Sequence, residues 1–117
     1  MPTTKAFTTA TITRYNKVGS ASIAGTSIGT VDTVAVANYR AARYLITATN
    51  GTDYHTIHIM VQHDGTNTQV VQFASIYDVG ELATYEADIN SGNLRLRATP
   101  ANAGTTNFKF SVELVEA

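Results

Sequence analysis

Residues 58–73 read HIMVQHDGTNTQVVQF. Ile57, Ile59 and Val61 fall on one phase of a two-residue period, the chain then meets Asp64-Gly65, and a second apolar run follows. That is the pattern of two strands folded back around a hairpin tip, because Asp tolerates turn backbone and Gly accepts a positive φ. On the far side of the turn, either Val71 and Phe73 or Val70 and Ile76 continue the buried face. The same stretch carries His58 and His63, with His55 just before it, and so raises the question of a metal or catalytic site.

Working outward, the period of two persists wherever a period is readable, which argues for half-buried strands over helices. In NFKFSVELVEA, Phe108, Phe110, Val112 and Leu114 share a face and Lys109, Ser111 and Glu113 the other. In GNLRLRATP, Leu94, Leu96 and Ala98 point inward, Arg95 and Arg97 outward, and Pro100 ends the strand. LATYEADI supplies Leu82, Tyr85, Ala87 and Ile89, joined to the next strand through Asn90-Ser91-Gly92; Asn50-Gly51 is a second two-residue turn signal. VANYRAARYLI has the alanines of a helix, yet Tyr44-Leu-Ile-Thr-Ala-Thr is β-rich and runs into Asn-Gly, so a strand from 39 to 49 is expected. With TVDTVAVA and TTATITRY this makes about eight short strands at ~8–12-residue spacing, an all-β, antiparallel, jelly-roll-like β-sandwich. Its expected core is Ile12, Tyr44, Ile46, Ile57, Ile59, Val61, Phe73, Ile89, Leu94, Leu96, Phe108, Phe110, Val112 and Leu114. Residues 1–30 read as an N-terminal strand or arm with a small-residue-rich loop (GSASIAGTSIGT, 19–30), and residues 31–117 as the sandwich.

A chain of 117 residues supports one core. Its 15% charged residues lie well under the ~25% usual for soluble domains, so the surface is Thr, Asn, Ser and Ala. A net charge of −1 gives no basic footprint for nucleic acid. Without cysteine there is no disulfide, thiolate zinc site or cysteine nucleophile, and no apolar run has the length of a signal core or membrane span.

No catalytic, cofactor or metal site is expected. His55 and His63 share a strand face while His58 lies on the other, and the first two stand about 25 Å apart at ~3.3 Å per residue, too far for one zinc ion. They read as satisfied surface or edge histidines, and His63-Asp64-Gly65 as hairpin architecture. No GxSxG elbow frames Ser75 or Ser91. Asp78, Glu81, Glu86 and Asp88 match no calcium loop and read as solvated acids near strand ends. GSASIAG lacks the lysine and helix of a phosphate loop. Glycan contact stays open, since Tyr15, Tyr39, Tyr54 and Tyr77 lie near strand ends and sandwiches present such rings to sugars. Asn50-Gly51-Thr52 is a turn first and a glycosylation acceptor only in a host that glycosylates.

The blocks Val31-Asp32-Thr33, YRAARYLI (39–46), VQHDGT (61–66), QFASIYDVGEL (72–82) and YEADINSGNLRLRATPANAGTTNFKFSV (85–112) keep an order and spacing that resembles a domain of virion structural proteins in tailed phages, especially marine and cyanobacterial ones. Val34 stands where that pattern often has Phe, and Asn90-Ser91-Gly92 replaces Ser-Gly-Gly. The resemblance implies a β-sandwich building block without known chemistry, assembled in the host cytoplasm and located in the virion. Because the domain usually ends much longer proteins and here follows only residues 1–30, a capsid decoration or knob subunit is expected. The alternatives are a tail or fibre component, or a carbohydrate- or receptor-binding module. Expected partners are further copies of the chain, a trimer favoured, and virion proteins such as the major capsid protein, with no nucleic acid and no membrane.

Overall fold

The computed structural model describes residues 14–117. Eight strands follow one another without an intervening helix: β1 (Arg14–Ala24), β2 (Gly29–Ala35), β3 (Tyr39–Asn50), β4 (Asp53–His63), β5 (Thr68–Tyr77), β6 (Ala83–Asn90), β7 (Asn93–Pro100) and β8 (Thr105–Glu116). They form a five-stranded sheet in the order β1-β8-β3-β4-β5 and a three-stranded sheet in the order β2-β7-β6, all neighbours antiparallel. The antiparallel all-β sandwich read from the sequence is therefore the observed fold. The stretch 39–49 is strand, as its β-branched density and the following turn require.

Alternation translates directly into the core. Ala42, Tyr44, Ile46 and Ala48 of β3, Ile57, Ile59 and Val61 of β4, and Phe108, Phe110, Val112 and Leu114 of β8 line the inner face of the larger sheet. Val31, Val34, Tyr85, Leu94, Leu96 and Ala98 face them from the smaller one. Tyr85 meets Phe108 edge-on across the two layers with centroids 6.2 Å apart, and Tyr44 meets Phe110 edge-on within the larger sheet at 5.7 Å.

Two expected core members depart from this. Phe73 is 40% exposed, and Ile89 is only half-buried. The cause for Phe73 is the inequality of the sheets. β5 is the outer strand of five, and the facing sheet has three, so no buried position falls on β5 in either phase. Thr68 and Gln72 donate instead to the backbone carbonyls of Ala87 and Tyr85 on β6, closing that flank with polar bonds. Ile12 lies outside the described residues.

The region 19–30 is the larger correction. It is neither loop nor arm: it comprises the end of β1, a turn at residues 25–28 and the start of β2. β1 pairs with β8 over eleven positions, Arg14↔Val115 to Ala24↔Thr105. Its small residues are the imprint of large neighbours. A Cβ on Gly19 would stand 2.5 Å from Cζ of Phe110, and one on Gly29 2.9 Å from Cδ1 of Ile23. Gly19→Ala is therefore expected to destabilise by about 1–3 kcal/mol through overpacking. Gly80→Ala, where the added carbon meets nothing within 4 Å, serves as the near-neutral control in the same denaturant titration.

The hairpin turns also resolve. Asn50 pairs with Asp53, so the two-residue loop is Gly51-Thr52, one residue later than the Asn-Gly signal suggests. Gly51 takes φ +63°, the first position of a type II′ turn. Ser91 and Gly92 both have positive φ, the type I′ geometry, between paired Asn90 and Asn93.

Candidate functional site

The histidines that prompted the question occupy three separate settings. His55 and His63 point into the sandwich and are buried, not surface residues as expected. Each is satisfied by the chain around it. At His63 the Gly65 N–H donates to Nδ1 at 3.0 Å, so Nε2 carries the proton and donates to the Tyr39 carbonyl at 2.6 Å. At His55 the Leu82 N–H donates to Nδ1 at 3.2 Å and Nε2 donates to Ser75 Oγ at 2.8 Å. His63 thus ties the β4–β5 tip to the start of β3, and His55 ties the β5–β6 crossing to both strands beneath it. These rings pin loops.

Asp64 belongs to the same architecture. Its Oδ1 accepts from the backbone N–H groups of Asn67 at 2.7 Å and Thr66 at 2.9 Å, folding residues 64–67 into the tip. Those bonds, Asn67's foremost, hold its carboxyl below the usual aspartate range. The other acids are dispersed. Asp78 accepts from Tyr54 N and Val79 N, while Asp88 forms a two-point pair with Arg95 at 2.7 and 2.6 Å. The Arg95 bonds, then its charge, hold Asp88 below its ordinary value, so Arg95 is an ion-pair partner in place of a solvated rung. Among the described residues no group of three or more His, Cys, Asp or Glu side chains is placed to hold a metal ion.

Burial holds the His55 imidazole below its ordinary value, with Glu81 pulling the other way. A depressed histidine favours the unfolded chain for proton uptake. Stability is therefore complete above the unfolded value of about 6.5 and declines as pH falls through it toward the folded value. His55→Gln keeps a donor and an acceptor but takes up no proton. Thermal melts across that window are expected to show a flatter acid slope for the variant, and equal slopes would remove His55 from the pH response. A second decline, from Asp64 and Asp88, belongs below the ordinary carboxylate value of 3.8.

Two of the candidate tyrosines come together at one place. Tyr54 and Tyr77 are each about half exposed beside a shallow hollow of about 230 Å³ with Thr56, Ile76 and Asp78. Tyr77 pairs with inward-facing His55 and meets its ring edge-on at 5.9 Å, whereas Tyr54, one residue before His55, alternates to the outer face. Tyr44 and Tyr85 are buried.

What the arrangement does present is the outer face of the five-stranded sheet. Register aligns Val18, Ser111, Leu45, His58 and Phe73 in one row across all five strands, and Asn16, Glu113, Arg43, Met60 and Val71 in the next. His58 and Phe73 stack with centroids 5.1 Å apart and planes 12° from parallel. A groove of about 540 Å³ runs over the β1-β8-β3 part of these rows, flanked by the Arg43–Glu113 ion pair. The sequence reading missed this face. Its signal is present: Leu45 lies between Tyr44 and Ile46, Met60 between Ile59 and Val61, and Val71 beside Val70, so each of these strands places an apolar residue in both phases.

No protein-family model matches this sequence, and no curated protein does. Solved structures do match in fold. The tailspike protein of Acinetobacter baumannii phage AM24 superposes with a TM-score of 0.60 over 89% of this chain at 6% identity. The match spans 26% of that tailspike's length. Tailspike gp49 of A. baumannii bacteriophage Fri1, a capsular polysaccharide depolymerase, matches over 90% of this chain and 20% of its own, with a TM-score of 0.48 and 15% identity. The tailspike of another Acinetobacter phage gives a TM-score of 0.42 at 21% identity. The chain shares its sandwich with about a quarter of the AM24 tailspike.

Proposed function

We propose that this chain is a non-catalytic β-sandwich module of a tailed-phage appendage, of the tailspike or tail-fibre kind, and that it resides in the virion. The observation carrying this reading is the superposition of nearly the whole described sandwich on a segment of the AM24 tailspike. The sequence resemblance to tailed-phage virion proteins points the same way independently. Capsid decoration, the role expected first from sequence, gains no support from the match to the AM24 tailspike.

The absence of chemistry in this proposal rests on the engaged state of its reactive groups. Both buried histidines spend both ring nitrogens on loop geometry, Ser75 Oγ accepts from His55, Asp64 and Asp78 serve backbone N–H groups, and Asp88 serves Arg95. A general base must reach a substrate proton, which buried and saturated rings do not.

Mass spectrometry of purified virions, followed by gold-labelled antibody microscopy, tests the assignment. The protein is expected in the particle with label at the tail. Label over the head would restore decoration, and absence from virions would reject both.

A further inference from the structure

We infer that the Asn50-Gly51 peptide is a site of covalent self-modification, deamidation through a succinimide, and that the fold restrains it with a lock made of neighbouring turns. In the reaction the Gly51 backbone nitrogen gives its proton to solvent base and attacks Cγ of the Asn50 carboxamide. The Cγ–Nδ2 bond breaks, the side-chain nitrogen leaves as ammonia, and a five-membered ring remains. Water then opens the ring at either carbonyl. The product is aspartate or, with the chain rerouted through the side chain, isoaspartate. Glycine makes the preceding asparagine reactive because no Cβ shields the attacking nitrogen, and this is the one Asn-Gly pair in the sequence.

The fold demands both members of the pair. Gly51 has φ +63° with open space around it, so backbone conformation and not crowding requires glycine there. Asn50 is required for what its side chain joins. Nδ2 donates to the Ala103 carbonyl and to Thr106 Oγ1, both at 3.2 Å, and Thr106 is fully buried. These bonds fix the 51–52 turn to the 101–104 turn, whose Gly104 carbonyl accepts from the Gly25 N–H at 2.8 Å. Three turns are thereby tied into one set.

The same contacts restrain the chemistry. Ring closure requires Asn50 to rotate out of the extended backbone it has as a strand residue paired with Asp53, and to turn its carboxamide back over its own peptide. Both Nδ2 bonds must be given up, so the reaction proceeds from the locally opened turn at a rate set by how often it opens. Two net hydrogen bonds correspond to about ten-fold or more in that equilibrium. Once ammonia is lost the change is irreversible, and the lock is lost with it. A carboxylate at position 50 has no hydrogen to donate, so the Ala103 carbonyl faces a second acceptor, while the Thr106 hydroxyl reverses and donates.

Peptide mapping of the full chain after incubation at mildly alkaline pH, native and in urea, tests this by following amide loss and isoaspartate at residue 50. The native chain is expected to convert about ten-fold or more slowly than the unfolded one. Thr106→Val removes one acceptor and keeps the shape, and should speed the native reaction by about three-fold or more. Val61→Ala, a core deletion near the opposite end of β4, controls for global stability and should leave the native rate unchanged. Persistence of Asn50 in the unfolded chain overturns the site. Equal native and unfolded rates, no acceleration by Thr106→Val, or equal acceleration by Val61→Ala overturns the lock. Asn50→Asp makes one product directly, and hydrogen exchange at the Gly25 amide should then quicken by about three-fold or more. An unchanged Gly25 amide overturns the linkage of the three turns.

Discussion

Phe108→Ala is expected to remove about 3–5 kcal/mol of stability, the range for an aromatic deleted from a core that cannot collapse around the gap. Phe108 is fully buried on β8, the strand between β1 and β3, and its ring reaches across the sandwich to the edge of Tyr85 on β6. Neighbours on both sides are held by ladder pairing, so little can move in. Urea denaturation of parent and variant measures the loss through the midpoint at constant slope. Phe73→Ala is the informative comparison. The same residue type, exposed on β5, should cost under about 1 kcal/mol, since surface substitutions seldom exceed that. A large cost at Phe73 would show that its stack on His58 carries stability at the β4–β5 ladder.

Tyr44→Phe is expected to cost about 1.5–3 kcal/mol, the range for a hydrogen bond to a charged group. Its hydroxyl donates to Oδ2 of Asp32 at 2.8 Å while Lys17 Nζ holds Oδ1 at 3.1 Å. One carboxylate on β2 thereby joins β1 and β3 of the opposite sheet at the rim of the core. Deleting the hydroxyl leaves Asp32, only 12% exposed, with an unfilled acceptor, and Lys17 retains its own bond. The variant also carries an alkaline signature. Burial, followed by the Asp32 charge and hydrogen bond, pushes the Tyr44 phenol far above its ordinary value of 10.0. Above that pH the unfolded chain loses the proton and the folded chain keeps it, so stability falls as pH rises, and Tyr44→Phe should flatten the decline. A loss under about 0.5 kcal/mol with an unchanged alkaline slope would show the bond to be no better than one to water.

Alternation made β3, β4, β7 and β8 legible, because those strands lie inside their sheets or face a covered core and so obey the period along their whole length. β5 was not legible in the same way. Nothing local in TQVVQFASIY states that the opposite sheet stops short of it, and the bulge at Ala74 breaks the two-residue count between Phe73 and Ile76. The small residues of 19–30 misled for a related reason. Gly19 is dictated by the Phe110 ring on β8, a constraint from the far end of the sequence that composition alone presents as looseness. His55 and His63 could be placed on one face, yet their burial depended on backbone N–H groups of Gly65 and Leu82 that only the folded loops bring to Nδ1. The outer apolar face needed no tertiary information. Leu45, Met60 and Val71 stand in the outward phase of three successive strands, among the polar Arg43, Thr47, Thr56, His58 and Gln62.

The pairing of β1 with β8 has a mechanical consequence. Arg14 sits opposite Val115, so the two ends of the described chain leave from the same end of the molecule, beside the 64–67 tip. Tension applied between them would open the β1–β8 ladder one hydrogen bond at a time, like a zip, instead of loading all the rungs in shear. A body built this way gives poor resistance as a link in a stretched chain. Suspended from one end, it carries no strain through its core and holds the turns at 25–28, 51–52 and 101–104 outward, at its far end.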